Sequence, residues 1–169
     1  MSTNMDYFQL FQLPVSFQPD MAAVKKQFYA LSRQYHPDFF TNHSPQEQEE
    51  ALEQSALINK AFKTLSHKDT LIPYVLQLHQ IMEPDEKYAL PQDFLMEMME
   101  LNEAAEFCNT DSDKARLQAT IQNLQNKLYA TVEPLFTPVE GHFSEKALLQ
   151  IKDYYFKQKY LEKVLDTIQ

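Results

Sequence analysis

A single glycine, Gly141, in 169 residues is the feature that most restricts what this chain can become. Glycine is the residue that lets a backbone approach a phosphate closely or enter positive φ without steric cost. Glycine-rich nucleotide-binding loops are therefore excluded. Tight hairpin turns draw on the same residue, which argues against a turn-rich β sandwich. What remains is a set of helices joined by loops that the 9 prolines punctuate. At roughly 100–200 residues per domain the length allows one domain or two small ones. A composition 44% hydrophobic and 23% charged is that of a globular chain rather than a disordered one.

The net charge of −9, with no basic run, argues against general binding to duplex DNA or other nucleic acid. One cysteine, Cys108, can form neither an internal disulfide nor a cysteine zinc cluster. No apolar stretch approaches the roughly 18 residues of a membrane span. The opening MSTNMDYFQLFQLP has no positive residue and neither secretory nor transit character. The expectation is a cytoplasmic, soluble, all-α protein with no membrane partner and no cofactor.

Prolines mark the joints. Pro14 and Pro19 bracket a short loop, Pro37 breaks a helical pattern, and Pro84 and Pro91 frame EPDEKYALPQ, the best domain boundary. Residues 1–80 carry 6 Lys/Arg against 8 Asp/Glu, net −2, and residues 81–169 carry 9 against 16, net −7. The expected division is a first domain over 1–80, a linker over 81–91 and a helical bundle over 92–169. In the first part Asp20 can cap a helix reaching about residue 35. Val24, Phe28, Leu31 and Tyr35 form its apolar stripe, with Lys26 and Arg33 on the opposite face and Lys25 on the flank. Ser44, Pro45 and Glu47 spell an N-cap, a first-turn proline and a capping box for a second helix. Its stripe is Ala51, Ser55, Ile58, Phe62 and Leu65. The two helices form an antiparallel hairpin, closed by short helices near 5–13 and 69–79. The second part reads as three helices near 92–108, 111–131 and 144–168, with Thr110 or Asp111 and then Ser144 as caps.

His36-Pro37-Asp38 lies at the tip of that hairpin, after a helix with basic residues on its outward face. As a bare tripeptide it reads as a turn, since proline stops the helix and aspartate favours turns. Its setting says more. Asp6-Tyr7-Phe8 with Leu10 and Leu13 precedes it, and Asn59, Ala61, Phe62 and Leu65 follow. Over about residues 5–78 this arrangement resembles the J domain of DnaJ-type co-chaperones. The resemblance implies a protein that stimulates the ATPase of a DnaK-class chaperone and delivers a client to it. His36, Pro37 and Asp38 would contact the chaperone, and Lys25, Lys26 and Arg33 would meet an acidic surface on it.

A general DnaJ-type chaperone would continue into a glycine-rich linker and zinc-binding cysteine repeats, and this sequence has neither. A J domain followed directly by an acidic three-helix bundle resembles the HscB family, the co-chaperones of iron–sulfur cluster assembly. That family implies the chaperone HscA and the cluster scaffold IscU as partners, for a monomer or weak dimer. A J-domain adaptor carrying another client to a general DnaK-class chaperone is the alternative reading. Leu71 stands where the family usually has arginine, and Pro73 is unusual in that helix. Eukaryotic relatives often carry an N-terminal cysteine-pair zinc module, whose absence suggests a bacterial-type member.

The helix after Gln92 has more apolar sides than one core needs. Phe94, Met98, Leu101, Ala105 and Cys108 suffice for a core stripe, and Leu95, Met96, Met99 and Phe107 then point away among Glu100, Glu103 and Glu106. Packing against the J domain, or simply filling a wide core, is one reading of that second face. The family resemblance implies instead a scaffold site at Leu95, Met96, Met99, Glu100, Glu103 and Tyr160, with Phe107 where an acidic residue is more typical. On the last helix Ile151, Tyr155, Leu161, Leu165 and Ile168 read as core, with Phe156 and Tyr160 nearer the outside. Catalysis by His36 and Asp38 is disfavoured, because they share an exposed loop with no evident pocket. Cys108 reads as packing rather than nucleophile. The remaining histidines, His43, His67, His79 and His142, have no metal-ligand spacing.

Overall fold

A computed structural model describes residues 4–168. They are all-helical and divide into two compact units, Met1–Val75 and Leu76–Gln169. The first holds α1 (Tyr7–Leu10), α2 (Met21–Gln34), a 3-10 turn at Pro37–Phe40, α3 (Pro45–Ser66) and most of α4 (Lys68–Leu78). The second holds α5 (Gln92–Glu106), α6 (Asp111–Val132), a 3-10 turn at Glu133–Phe136 and α7 (Glu145–Ile168).

Local signals start the helices of the first unit. Asp20 Oδ1 accepts from the Ala22 amide at 3.0 Å to cap α2. At α3 the Ser44 hydroxyl accepts from the Glu47 amide and the Glu47 carboxylate accepts from the Ser44 amide, a complete capping box around Pro45. Those Ser44 bonds hold the Glu47 carboxyl below the usual carboxylate range. The first helix is shorter than the sequence suggests. A second capping box, Asp6 with Gln9, starts it, and the chain leaves the helix by Gln12, whose φ of 56° is left-handed.

α2 and α3 pack as the expected hairpin, with Phe28 stacked on Phe62 at 4.1 Å. Val24, Ala51, Ile58, Ala61 and Leu65 are buried between them, together with Phe8 and Phe11. Phe28, Leu31, Tyr35, Ser55 and Phe62 of the expected stripes are half-buried. α4 closes the face with Leu71, Ile72 and Val75, and runs through Pro73. Leu71 is thus a core residue. The Tyr74 hydroxyl accepts from the Tyr7 amide at 2.8 Å while the two rings stack at 4.7 Å, which fixes α1 against α4.

In the second unit α5, α6 and α7 pack around Phe94, Met98, Leu101, Leu117, Ile121, Leu161, Val164 and Ile168. Each such side chain removed from water contributes about 1.5–3 kcal/mol. Cys108 packs against this cluster from its edge, with Ala105, Leu124, Leu128 and Tyr160. On α7 the buried positions are Leu148, Ile151, Tyr154, Leu161, Val164 and Ile168. Tyr155 and Leu165, expected in the core, are half-buried, and Tyr154 and Val164 are the residues that turn inward. Thr110 caps α6 and Ser144 caps α7 through the Asp113 and Ala147 amides. The one glycine sits where it is needed. Val139 and His142 exchange backbone hydrogen bonds of 3.0 Å across a two-residue turn whose members, Glu140 and Gly141, have φ of 53° and 79°.

Candidate functional site

Two surfaces carry the residues singled out by the sequence, one in each unit. In the first unit α2 ends at Gln34 with Tyr35 as its C-cap, and the chain turns through His36 in an extended conformation (φ −63°, ψ 129°), as a residue before proline prefers. Pro37 opens the 3-10 turn. His36 Nδ1 accepts from the Asp38 amide at 3.2 Å and lies 3.7 Å from the Asp38 carboxylate. With Nδ1 used as an acceptor, a neutral His36 carries its ring proton on Nε2. Both side chains are exposed, Asp38 at 86%. The loop is thus an exposed, locally ordered element.

Lys25, Lys26 and Arg33 are all exposed on α2, and that helix contains no acidic residue. Arg33 and the loop share a shallow depression of about 440 Å³ lined by Tyr29, Ser32, Arg33, His36, Asp38 and Phe39. The structure therefore brings Arg33, His36 and Asp38 together, while Lys25 and Lys26 lie further back along the helix. Sequence reasoning passed over Tyr29 and Phe39. Tyr29 falls at the four-residue interval that joins Lys25 to Arg33, a spacing that places all three on one helix face.

In the second unit Leu95, Met96, Met99, Glu100 and Glu103 are exposed on α5, opposite the buried Phe94, Met98 and Leu101. Met96 and Met99 are 61% and 62% exposed, and Phe107 at the end of the helix is exposed as well. Tyr160 is half-buried, set edge-on to Phe94 at 6.2 Å with its hydroxyl 3.5 Å from Asn102 Nδ2. It borders the core rather than standing clear of it. An exposed strip of leucine, methionine and glutamate suits a partner that is apolar and basic.

Among the described residues no helix is long and apolar enough to cross a membrane, and no group of three or more His, Cys, Asp or Glu side chains could hold a metal ion. Residues 6–72 match the family described as the DnaJ domain. Helical hairpin, capped turn and exposed His-Pro-Asp loop together make the first unit a J domain, whose general partner is a DnaK-class chaperone. Residues 90–169 match the family described as the HSCB C-terminal oligomerisation domain.

The chain belongs to the HscB family of J-domain co-chaperones, which serve iron–sulfur cluster assembly and are not themselves enzymes. It is similar to the chaperone HscB from Vibrio cholerae, at 27% identity and a TM-score of 0.74 over 97% of this chain and 95% of that one. It is also similar to human co-chaperone protein HscB, at 27% identity and a TM-score of 0.82 over 99% of this chain and 82% of that one. The C-terminal domain implies a scaffold client.

Proposed function

We propose that this protein delivers the cluster scaffold IscU to the chaperone HscA in the cytoplasm and stimulates HscA's ATPase, without catalysing a reaction or holding a cofactor itself. The observation that carries this reading is the pairing, in one chain, of an exposed His-Pro-Asp loop with an exposed apolar–acidic strip on α5. The J domain spans 1–80, a linker 81–91, and the client-binding bundle 92–169, in a monomer or weak dimer. His36, Pro37 and Asp38 contact the chaperone. The stiff loop loses little freedom on docking, and the Asp38 carboxylate can accept paired hydrogen bonds from an arginine. Lys25, Lys26 and Arg33 steer the encounter toward an acidic surface. Leu95, Met96, Met99, Glu100, Glu103 and Tyr160 hold the scaffold.

The test is HscA ATP hydrolysis with IscU present, titrated with the protein. Synergistic acceleration by IscU and this chain together is expected. Acceleration that is the same without IscU, or equal with an unrelated unfolded client, sinks the assignment of IscU as cargo.

A further inference from the structure

Two adjacent aromatic pairs flank the His-Pro-Asp loop, and each splits the same way. In Phe28-Tyr29, Phe28 stacks on Phe62 while Tyr29 is 59% exposed. In Phe39-Phe40, Phe40 is half-buried with its ring against His43 at 4.9 Å, while Phe39 is 66% exposed. The two outward rings line one depression, on which Arg33 and Asp38 place one charge of each sign. Phe39 lies ring edge to face with His36 at 6.1 Å. Exposed rings fixed beside charged groups resemble the anchors of protein interfaces more than the scattered apolar residues of an ordinary surface.

We propose that Tyr29 and Phe39 form an aromatic clamp that receives an apolar side chain of the DnaK-class chaperone. The clamp supplies the part of the affinity that charge does not. This rests on the reading of the loop as the chaperone site and adds the chemistry of the facing patch. That patch has an apolar side chain between a carboxylate for Arg33 and a cation for Asp38. The occupant is a protein surface of this kind because the clamp is continuous with the loop and carries both signs of charge.

The full-length protein would be titrated into the chaperone's ATPase as wild type, Tyr29→Ala, Phe39→Ala, the double variant, Phe39→Tyr and His36→Gln. Each alanine variant is expected to raise the concentration for half-maximal stimulation at least fivefold. The maximum at saturation and the thermal midpoint should stay as in wild type, and Phe39→Tyr should restore most of the loss. The deficit should persist at high salt, because an apolar contact is not screened. Half-maximal concentrations unchanged in both alanine variants would overturn the clamp, as would a thermal midpoint that falls with them. His36→Gln is the separate control. If it stimulates as wild type does, the site itself is misassigned; if it is inactive while the alanine variants behave as wild type, only the clamp fails.

Discussion

Lys152 on α7 donates to the Glu86 carboxylate and to the Ile81 carbonyl, the second at 3.0 Å, so one ammonium fastens both ends of a six-residue loop. Both charged side chains are largely shielded, at 12% and 19% exposure. Replacing Lys152 by methionine keeps the packing but takes the ammonium from the Ile81 carbonyl and from the Glu86 carboxylate, which keeps only the Glu83 amide at 3.3 Å, and is expected to cost about 1–3 kcal/mol at pH 7. The hydrogen bond from Lys152 is the main reason that the Glu86 carboxyl sits below its usual 4.5. A depressed carboxylate stabilises the fold above its unfolded-state pKa, and that contribution fades as pH falls through the native one. The deficit of Lys152→Met should therefore shrink below about pH 4. Denaturant midpoints at pH 7 and at acid pH measure it, and a deficit equal at both would detach it from this ion pair.

Tyr88 extends the same fastening. Its hydroxyl donates to Asp153 Oδ1 at 2.7 Å and its ring stacks on Phe156 at 4.7 Å, while Asp153 also pairs with Lys157 at 2.7 Å. Burial, reinforced by the bond to Asp153, pushes the phenol up to about 12. A raised phenol favours the native state fully below its unfolded value near 10, and the benefit is lost as pH rises through about 12. Tyr88→Phe keeps the stack and removes the bond, with an expected cost of about 1 kcal/mol at neutral pH. In an alkaline absorbance titration it should also delete a late phenolate phase. A late phase of undiminished size would assign that ionisation to another tyrosine.

These two contacts show where sequence reading stops. The caps at Asp20, Ser44, Thr110 and Ser144 are legible because each lies within three residues of the amide that it binds. The composition of 81–91 reads as a linker, whereas the groups that fasten Ile81 and Tyr88 lie 71 and 65 residues away. Helical period alone placed Tyr155 and Leu165 inward on α7. With apolar residues on several sides of a 24-residue helix, the neighbouring helices select the buried side, and they select Tyr154 and Val164. The His-Pro-Asp loop was legible as a motif. The aromatic walls beside it were not, because the sequence does not say which ring of Phe28-Tyr29 or Phe39-Phe40 turns outward.

The basic face of α2 makes a kinetic prediction. If Lys25, Lys26 and Arg33 steer docking, raising salt from low to physiological strength should slow association with the chaperone. Lys26→Glu should cut the association rate several-fold and move the thermal midpoint little, since Lys26 is exposed. His36→Gln should instead abolish ATPase stimulation at any salt while leaving IscU binding intact. Stopped-flow association and steady-state hydrolysis separate the two. A rate insensitive to both salt and charge reversal would leave the basic face as ordinary solvated surface.

Met98 and Met99 are neighbours with opposite surroundings, one fully buried and the other 62% exposed, and they allow binding to be told from packing on α5. Replacing Leu95, Met96 and Met99 together by alanine removes apolar area from the exposed strip while retaining strong helix formers. Exposed substitutions usually stay within about ±0.5 kcal/mol each, so the triple variant should remain folded. Met98→Ala, by contrast, opens a cavity among Phe94, Leu101, Ile121 and Leu161 and should cost about 2–5 kcal/mol. The triple variant is expected to lose IscU binding while still raising the chaperone's basal ATPase through its J domain. Denaturation and scaffold titration on the same preparation decide the matter. A collapsed midpoint would return the strip to the core, and undiminished IscU binding would place the client elsewhere.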